Sequence, residues 1–226
     1  MDLFLKIATK GTIEYMLLGA GASLLVAVCA LVFGSILGLI SAAFKMSRFK
    51  VLRAIATAYV ELFRGTPMML QIMIFYLCGP IFTRVLFGFV YTPNPIIVGI
   101  VAVSINSGAY TTELFRSAIQ SIDKGQWEAS KTIGLNYMET MRYVILPQAL
   151  KRILPPFVNE FIVLIKDSSL LSTIGAVELL HTATVIGGKY YNYLIPLTMA
   201  AVVYLVMTLT ISYFARKLER RLAESD

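Results

Sequence analysis

Histidine, tryptophan and cysteine are nearly missing from this chain: one His, one Trp and two Cys in 226 residues. A lone His181 cannot build a metal cluster unaided, so no metal site is expected. Cys29 and Cys78 each lie in or beside an apolar stretch and do not form a ligand pattern; they read as free structural thiols. The motifs of bond-making sites are missing too. No G-x-x-x-x-G-K-[ST] phosphate loop occurs, so the chain itself should not hydrolyse ATP, and no H-E-x-x-H is present. Nor is there a G-x-S-x-G nucleophile elbow. The sequence therefore predicts no catalytic residue and no cofactor held by this chain.

Charge is scarce as well. Charged residues make up 15% of the chain and hydrophobic ones 58%, with a mean hydropathy of +0.75. A soluble domain cannot hide so much apolar surface, which predicts an all-α polytopic membrane protein, read as a single domain over 1–226. Tyr15–Phe44, Gly65–Thr83, Val85–Thr112 and Tyr190–Ala215 carry no Asp, Glu, Lys or Arg, and a membrane helix needs about 20 apolar residues. A further apolar region, Ile153–Leu180, is interrupted by charges. The first run is too long for a signal-peptide core and should stay as an anchor.

In chain order, residues 1–14 read as a short interfacial helix, followed by a first span over about Tyr15–Phe44. Gly19, Gly21, Gly34 and Gly38 in that span permit close helix contact in lipid. The second span begins as Ala54–Phe63 and is broken at Arg64-Gly65-Thr66-Pro67, where Pro67 should free a backbone carbonyl. Arg64 is expected to snorkel to the cytoplasmic interface or to pair with Glu61. Gly79–Pro95 reads as the far-side connection, and the third span as about Ile96–Phe115. Pro155-Pro156 should open a fourth span that runs to Leu180. His181, Gly187-Gly188 and Lys189 should mark its exit loop, and the last span is about Tyr190–Ala215.

The net charge of +7 could suggest nucleic acid, but its distribution fits orientation in a bilayer better, and no nucleic-acid partner is expected. Segments 45–53, 116–152 and 216–221 hold 14 of the 20 Lys and Arg residues. Placing these on the cytoplasmic side gives five crossings, with the N-terminus outside and the C-terminus inside.

Between the third and fourth spans lies the longest polar interruption, Gln126–Leu150. Asp123 with Gln126, and Asn136 with Glu139, have capping-box spacing. Gly134 is a natural left-handed stop for the first helix, and Pro147 is expected to close the second. The result is a helical elbow over about 123–150 at the cytoplasmic water edge.

Polar residues inside spans are the candidates for a solute path. Glu160 and Asp167 are seven positions apart, two turns, so they share a helix face about 10 Å apart along the axis. Ser168 adds hydrogen-bonding capacity beside them, and the third span offers Asn106, Ser107 and Tyr110 opposite. Lys166, six positions after Glu160, points to another face. A structural pairing of Asp167 with Lys166 or an arginine is the plainer alternative for that acid.

Four stretches resemble the permease subunits of ABC importers for polar amino acids, the histidine/arginine/glutamine class. They are Arg64-Gly65-Thr66-Pro67 followed by Gln71, the segment Gly108–Ile119 (GAYTTELFRSAI), the elbow, and Lys166-Asp167-Ser168-Ser169-Leu170. In the elbow, Glu128-Ala129, Gly134-Leu135 and Ile145-Leu146-Pro147 resemble the EAA loop of that family. At 166–170, Ser168 stands where the family usually has Thr. The resemblance implies the type I ABC importer permease fold with five transmembrane helices, in a bacterial cytoplasmic (inner) membrane. It implies that Glu128, Ala129, Gly134, Leu135 and Pro147 couple the chain to an ATP-binding subunit, present in two copies and holding ATP–Mg. A second permease chain, identical or different, and an extracytoplasmic solute-binding protein complete the implied assembly. The acidic pair then favours a basic amino acid such as arginine, lysine or histidine. An ion-coupled secondary amino acid transporter is the alternative, although no inverted repeat is evident; a non-transporting assembly scaffold is another.

Overall fold

The computed structural model describes residues 2–223, with the side chains of residues 2, 3, 219 and 221–223 outside the description. Arg221 of the C-terminal basic cluster is among these. Every regular element among the described residues is helical. A short α1 (Asp2–Ile7) leads into α2 (Lys10–Lys45), capped by Thr9, so the interfacial helix is shorter than expected and Lys10 already opens the first span. Then come α3 (Lys50–Gly65), α4 (Met68–Met73), a π turn at Ile74–Cys78 and α5 (Gly79–Phe87). The long α6 (Pro95–Gln120) is followed by the elbow, α7 (Lys124–Thr132) and α8 (Tyr137–Thr140). A π turn at Met141–Ile145 joins α8 to α9 (Leu146–Asp167), which tightens into a 3₁₀ segment at Ser168–Ile174. The described chain ends with α10 (Leu179–Tyr190) and α11 (Leu194–Ala223).

Among the described residues, four helical runs are long and apolar enough to cross a membrane: Lys10–Lys45, Met68–Phe87, Pro95–Gln120 and Leu194–Leu218. A fifth crossing is made by the bent pair Tyr137–Ile174 and Leu179–Tyr190, which meet at 48°. Five crossings agree with the sequence expectation, but several boundaries move. The apolar part of the second crossing starts at Met68 rather than Ala54, because α3 is amphipathic and carries Lys50, Arg53, Glu61 and Arg64. Gly79–Phe87 is helical, so the far-side connection shrinks to 88–94.

Pro147 does not close a helix. It sits in the first turn of α9, where the wider π turn just before it changes which carbonyls need donors: the Leu146 N–H bonds the Met141 carbonyl five residues back. Pro155 and Pro156 lie inside α9 rather than opening it. His181, Gly187, Gly188 and Lys189 belong to α10, not to an exit loop.

The centre of the bundle is α2 against α6. In lipid, apolar side chains gain nothing from association as such, so small residues that let backbones approach carry the contact. A Cβ at Gly34 would lie 2.9 Å from Ser107 Cβ, and one at Gly38 would overlap Thr111 Oγ1. Thr111 cannot simply turn away: its hydroxyl sits 3.0 Å from the Gly34 carbonyl and 2.9 Å from that of Ser107. Gly19 makes the same kind of approach to Thr182 of α10, whereas Gly21 has open space around it. Between the Gly19 contact and the Gly34–Gly38 contacts, Val26, Ala27 and Ala30 of α2 pack with Ala102 and Val103 of α6 and Leu164 and Ile165 of α9. A second cluster joins α1, α2, α10 and α11 through Ile7, Met16, Leu179, Ala183 and Ala200.

Glycine-dependent packing makes a direct prediction. Gly38→Ala should lower stability by about 1–3 kcal/mol through overpacking, while Gly21→Ala should stay within about 0.5 kcal/mol. Thermal unfolding of the purified variants in detergent measures both.

Candidate functional site

At the elbow, local chemistry fixes each turn. Asp123 caps α7 by accepting from the Gly125 N–H at 2.6 Å. The expected reciprocal box with Gln126 does not form, because the Gln126 side chain reaches across the elbow and accepts from Gln148 Nε2 at 3.1 Å. α7 ends in a left-handed Gly134 with φ +85°. There Gly134 N–H bonds the Lys131 carbonyl and Leu135 N–H the Ser130 carbonyl, both at 3.0 Å, the paired bonds of a Schellman stop. The Asn136–Glu139 box is complete: Asn136 Oδ1 accepts from Met138 and Glu139 N–H, and Glu139 Oε2 accepts from Asn136 N–H at 2.8 Å. Trp127 stacks on Tyr137 across the turn with centroids 5.9 Å apart. Ile122, Ile145, Ala149 and Ile153 form the base of the elbow, and the Arg152 guanidinium donates to the Ser121 carbonyl.

Of the residues singled out for coupling, Glu128, Ala129, Gly134 and Pro147 are exposed and Leu135 is half-buried. Ile133, Tyr137 and Met138 beside them are 74%, 69% and 68% exposed, an apolar patch on a polar hairpin. Near the end of α6 that leads into the elbow, an ion-pair clamp ties α6 to α2: Glu113 of α6 receives Lys45 Nζ of α2 at 2.5 Å and, within α6, Arg116 at 2.7 Å.

Within the spans, the candidate solute residues separate into two groups. Ser107 donates to Glu160 Oε1 at 3.0 Å, joining α6 to α9. Tyr110, one turn from Ser107, is 40% exposed and carries the Arg64 guanidinium over its ring at 5.2 Å. Arg64, exposed in the last turn of α3, thus meets Tyr110 of α6 and makes no ion pair with Glu61. Asp167 is half-buried on the same helix as Glu160. Lys166 indeed faces elsewhere, into a cavity of about 360 Å³ against α11.

Asn106 and Ser168 are placed differently from the rest of the expected set. Pro67 has no N–H to give the Phe63 carbonyl, and that carbonyl is taken instead by Gln71 Nε2 at 2.9 Å and Asn106 Nδ2 at 3.0 Å. Gln71 also donates to the Thr66 carbonyl at 3.1 Å, and its Oε1 accepts from Asn106 at 2.9 Å. The Asn106 amide is therefore directed at the α3–α4 break. Ser168 is fully buried, with its hydroxyl on the Ile165 carbonyl at 2.7 Å.

Sequence reasoning missed Glu178. It is fully buried where α10 begins and caps that helix through the His181 and Leu180 N–H groups at 2.6 and 2.8 Å. It also receives the Tyr204 hydroxyl of α11 at 2.9 Å and Ser23 of α2 at 3.5 Å. The one available signal was an acidic residue three positions after Gly175, at the start of an apolar run.

Broken spans, small-residue contacts and an exposed, doubly capped elbow define a multi-span membrane permease of the type I ABC importer fold. The chain belongs to the family of binding-protein-dependent transport system inner membrane components, whose profile matches residues 34–224. It is 36% identical over 99% of both chains to the putative glutamine transport system permease protein of Rickettsia bellii (strain RML369-C). It is 38% identical, over 97% of both, to the arginine transport system permease protein of Bacillus subtilis (strain 168). Among solved structures, an amino acid ABC transporter with histidines matches with TM-score 0.85 at 37% identity, over 92% of this chain and 94% of that one. The methionine ABC transporter MetNI in an inward-facing form shares the fold, with TM-score 0.76 at 20% identity over 95% and 99%.

Because Gln71 recovers two backbone carbonyls at once, Gln71→Leu should destabilise the chain by roughly 1–3 kcal/mol. A lowered unfolding midpoint in detergent, with helix content unchanged below the transition, is the expected readout.

Proposed function

We propose that this chain is the transmembrane subunit of an ATP-driven importer of polar amino acids, leaning to basic ones. The observation that carries the reading is the elbow: a doubly capped hairpin, rich in exposed apolar side chains, seated through Ile122, Ile145, Ala149 and Ile153 on the end of the bundle where the basic clusters lie. In this reading that end is cytoplasmic, with the N-terminus outside and the C-terminus inside. An ATP-binding subunit, one of two, holds ATP–Mg and grips Glu128, Ala129, Gly134, Leu135 and Pro147. A second permease chain, a copy or a different one, stands alongside, and an extracytoplasmic solute-binding protein delivers the amino acid. ATP binding closes the motor subunits, the elbows move with them, and the path turns from inward- to outward-facing.

For the solute, Glu160, Asp167, Ser107 and Tyr110 form the proposed contact strip. Two carboxyls within a membrane span favour a side chain with an added positive charge. The names of the relatives, which cover glutamine, arginine and cystine, support amino acid transport without choosing among substrates. Asn106 and Ser168 are proposed as supports for the backbone around the strip, holding the α3–α4 break and the end of α9.

Each half of the site has its own test. In reconstituted vesicles with the ATP-binding subunit, Gly134→Val or Glu128→Lys should cut uptake about tenfold or more while insertion and ATP hydrolysis persist; unchanged uptake would remove the docking role. Glu160→Gln should weaken arginine uptake by about 10-fold or more, the worth of a hydrogen bond to a charged group, and leave glutamine uptake less affected. Competition uptake with arginine, glutamine, glutamate and cystine reads this directly.

A further inference from the structure

Two adjoining cavities of about 480 and 530 Å³ lie between the end of α2, the start of α3 and the elbow, sharing Tyr137 and Met141. Lys45, Arg53 and Lys124 line the first and Arg48 the second, and among the described residues no Asp or Glu lines either. Lys45 is already paired with Glu113, but Arg48, Arg53 and Lys124 make no ion pair among the described residues. Trp127 and Tyr137, an aromatic pair of the kind that sits at membrane–water boundaries, wall the polar cavity. The second cavity continues as an apolar groove along Leu39, Ala43 and Phe115. The combination is a positively charged pocket at the membrane surface opening into a hydrocarbon-lined slot.

We propose that this double cavity is a binding site for an anionic phospholipid of the bilayer. The phosphate lies among Arg53, Lys124 and Arg48, and an acyl chain lies in the groove beside Leu39 and Phe115. Basic pockets at this depth attract acidic headgroups, and each near-surface cation adds to the attraction. A bound lipid would fill the space between the elbow and the bundle, and so join the bilayer to the coupling hairpin. The proposal rests on the transport reading only for placing this end of the bundle at the membrane surface.

The single tryptophan of the sequence lines the polar cavity, so its fluorescence reports on this site. In the purified full-length chain in detergent, phosphatidylglycerol brominated on its acyl chains quenches Trp127 saturably, and phosphatidylcholine brominated alike does so far less. R53Q combined with K124Q raises the lipid concentration for half-quenching about thirtyfold, whereas R53K combined with K124R stays near the parent and controls for folding. Equal quenching by the two lipids, or no shift in the charge-removing variant, overturns the proposal. Displacement by excess glycerol phosphate would assign the pocket to a free phosphate instead. Loss of quenching on adding the ATP-binding subunit, together with loss of that subunit's copurification in R53Q/K124Q, would assign it to a protein partner. The assay needs neither transport nor ATP, so its failure is separate from failure of the transport reading.

Discussion

A helix broken inside a bilayer exposes backbone groups that no water can satisfy, and each left bare costs several kcal/mol. This chain breaks its spans twice and satisfies both breaks with side chains. At Thr66-Pro67, the Phe63 carbonyl left by the proline is shared by Gln71 and Asn106. At 175–178, the first N–H groups of α10 are taken up by the Glu178 carboxylate. Neither break could be moved by a residue without stranding these partners, so the paths of α3, α4, α9 and α10 are fixed by a handful of polar atoms. The same atoms bind elements to one another: Asn106 brings α6 to the first break, and Ser23 and Tyr204 bring α2 and α11 to the second.

Between the breaks, the bundle is held by closeness rather than by bulk. Gly34 and Gly38 bring α2 onto Ser107 and Thr111, and the Lys45–Glu113–Arg116 clamp closes the end of that contact. Residues of the resembling segment Gly108–Ile119 thus do structural work: Glu113 ties α6 to Lys45 of α2 and is held within α6 by Arg116, while Tyr110 supports Arg64. The outer helix α11, by contrast, leaves Val202, Leu205, Val206 and Leu209 more than half exposed. In water that would be an aggregation hazard; against lipid tails it has no cost.

Much of this was legible in the residues. The span count came from uninterrupted apolar runs, and Gly134 and the Asn136–Glu139 box were read from local spacing, because caps depend on neighbours a few positions away. The freed carbonyl at Pro67 was also foreseeable, but not its recipients, since Asn106 lies 43 positions from Phe63. The prolines misled for a related reason. Pro147 and Pro155-Pro156 mark ends by propensity alone, yet a π turn precedes one and a long packed helix carries the others. Glu178 escaped notice because a capping acid in a bent span has the composition of an ordinary loop, and only the approach of Ser23 and Tyr204 gives it a purpose. The contact of Arg64 with Tyr110 was not legible either, because the two residues lie on different helices and meet only in the packed bundle.

The helical run from Tyr137 to Ile174 connects the two halves of the site without a break. Between Tyr137 and Glu160 it spans about 35 Å at 1.5 Å per residue. No flexible linker therefore lies between the elbow and the segment that carries Glu160 and Asp167. Two places along the run are softer than the rest: the π turn at Met141–Ile145 and the proline pair at 155–156, where backbone hydrogen bonding is locally altered. Beyond Ile174 the bend at Gly175 ends the rod, and Glu178 anchors the start of α10 to α2 and α11. Between the elbow and that anchor, the same run carries both carboxyls and the Ser107 contact.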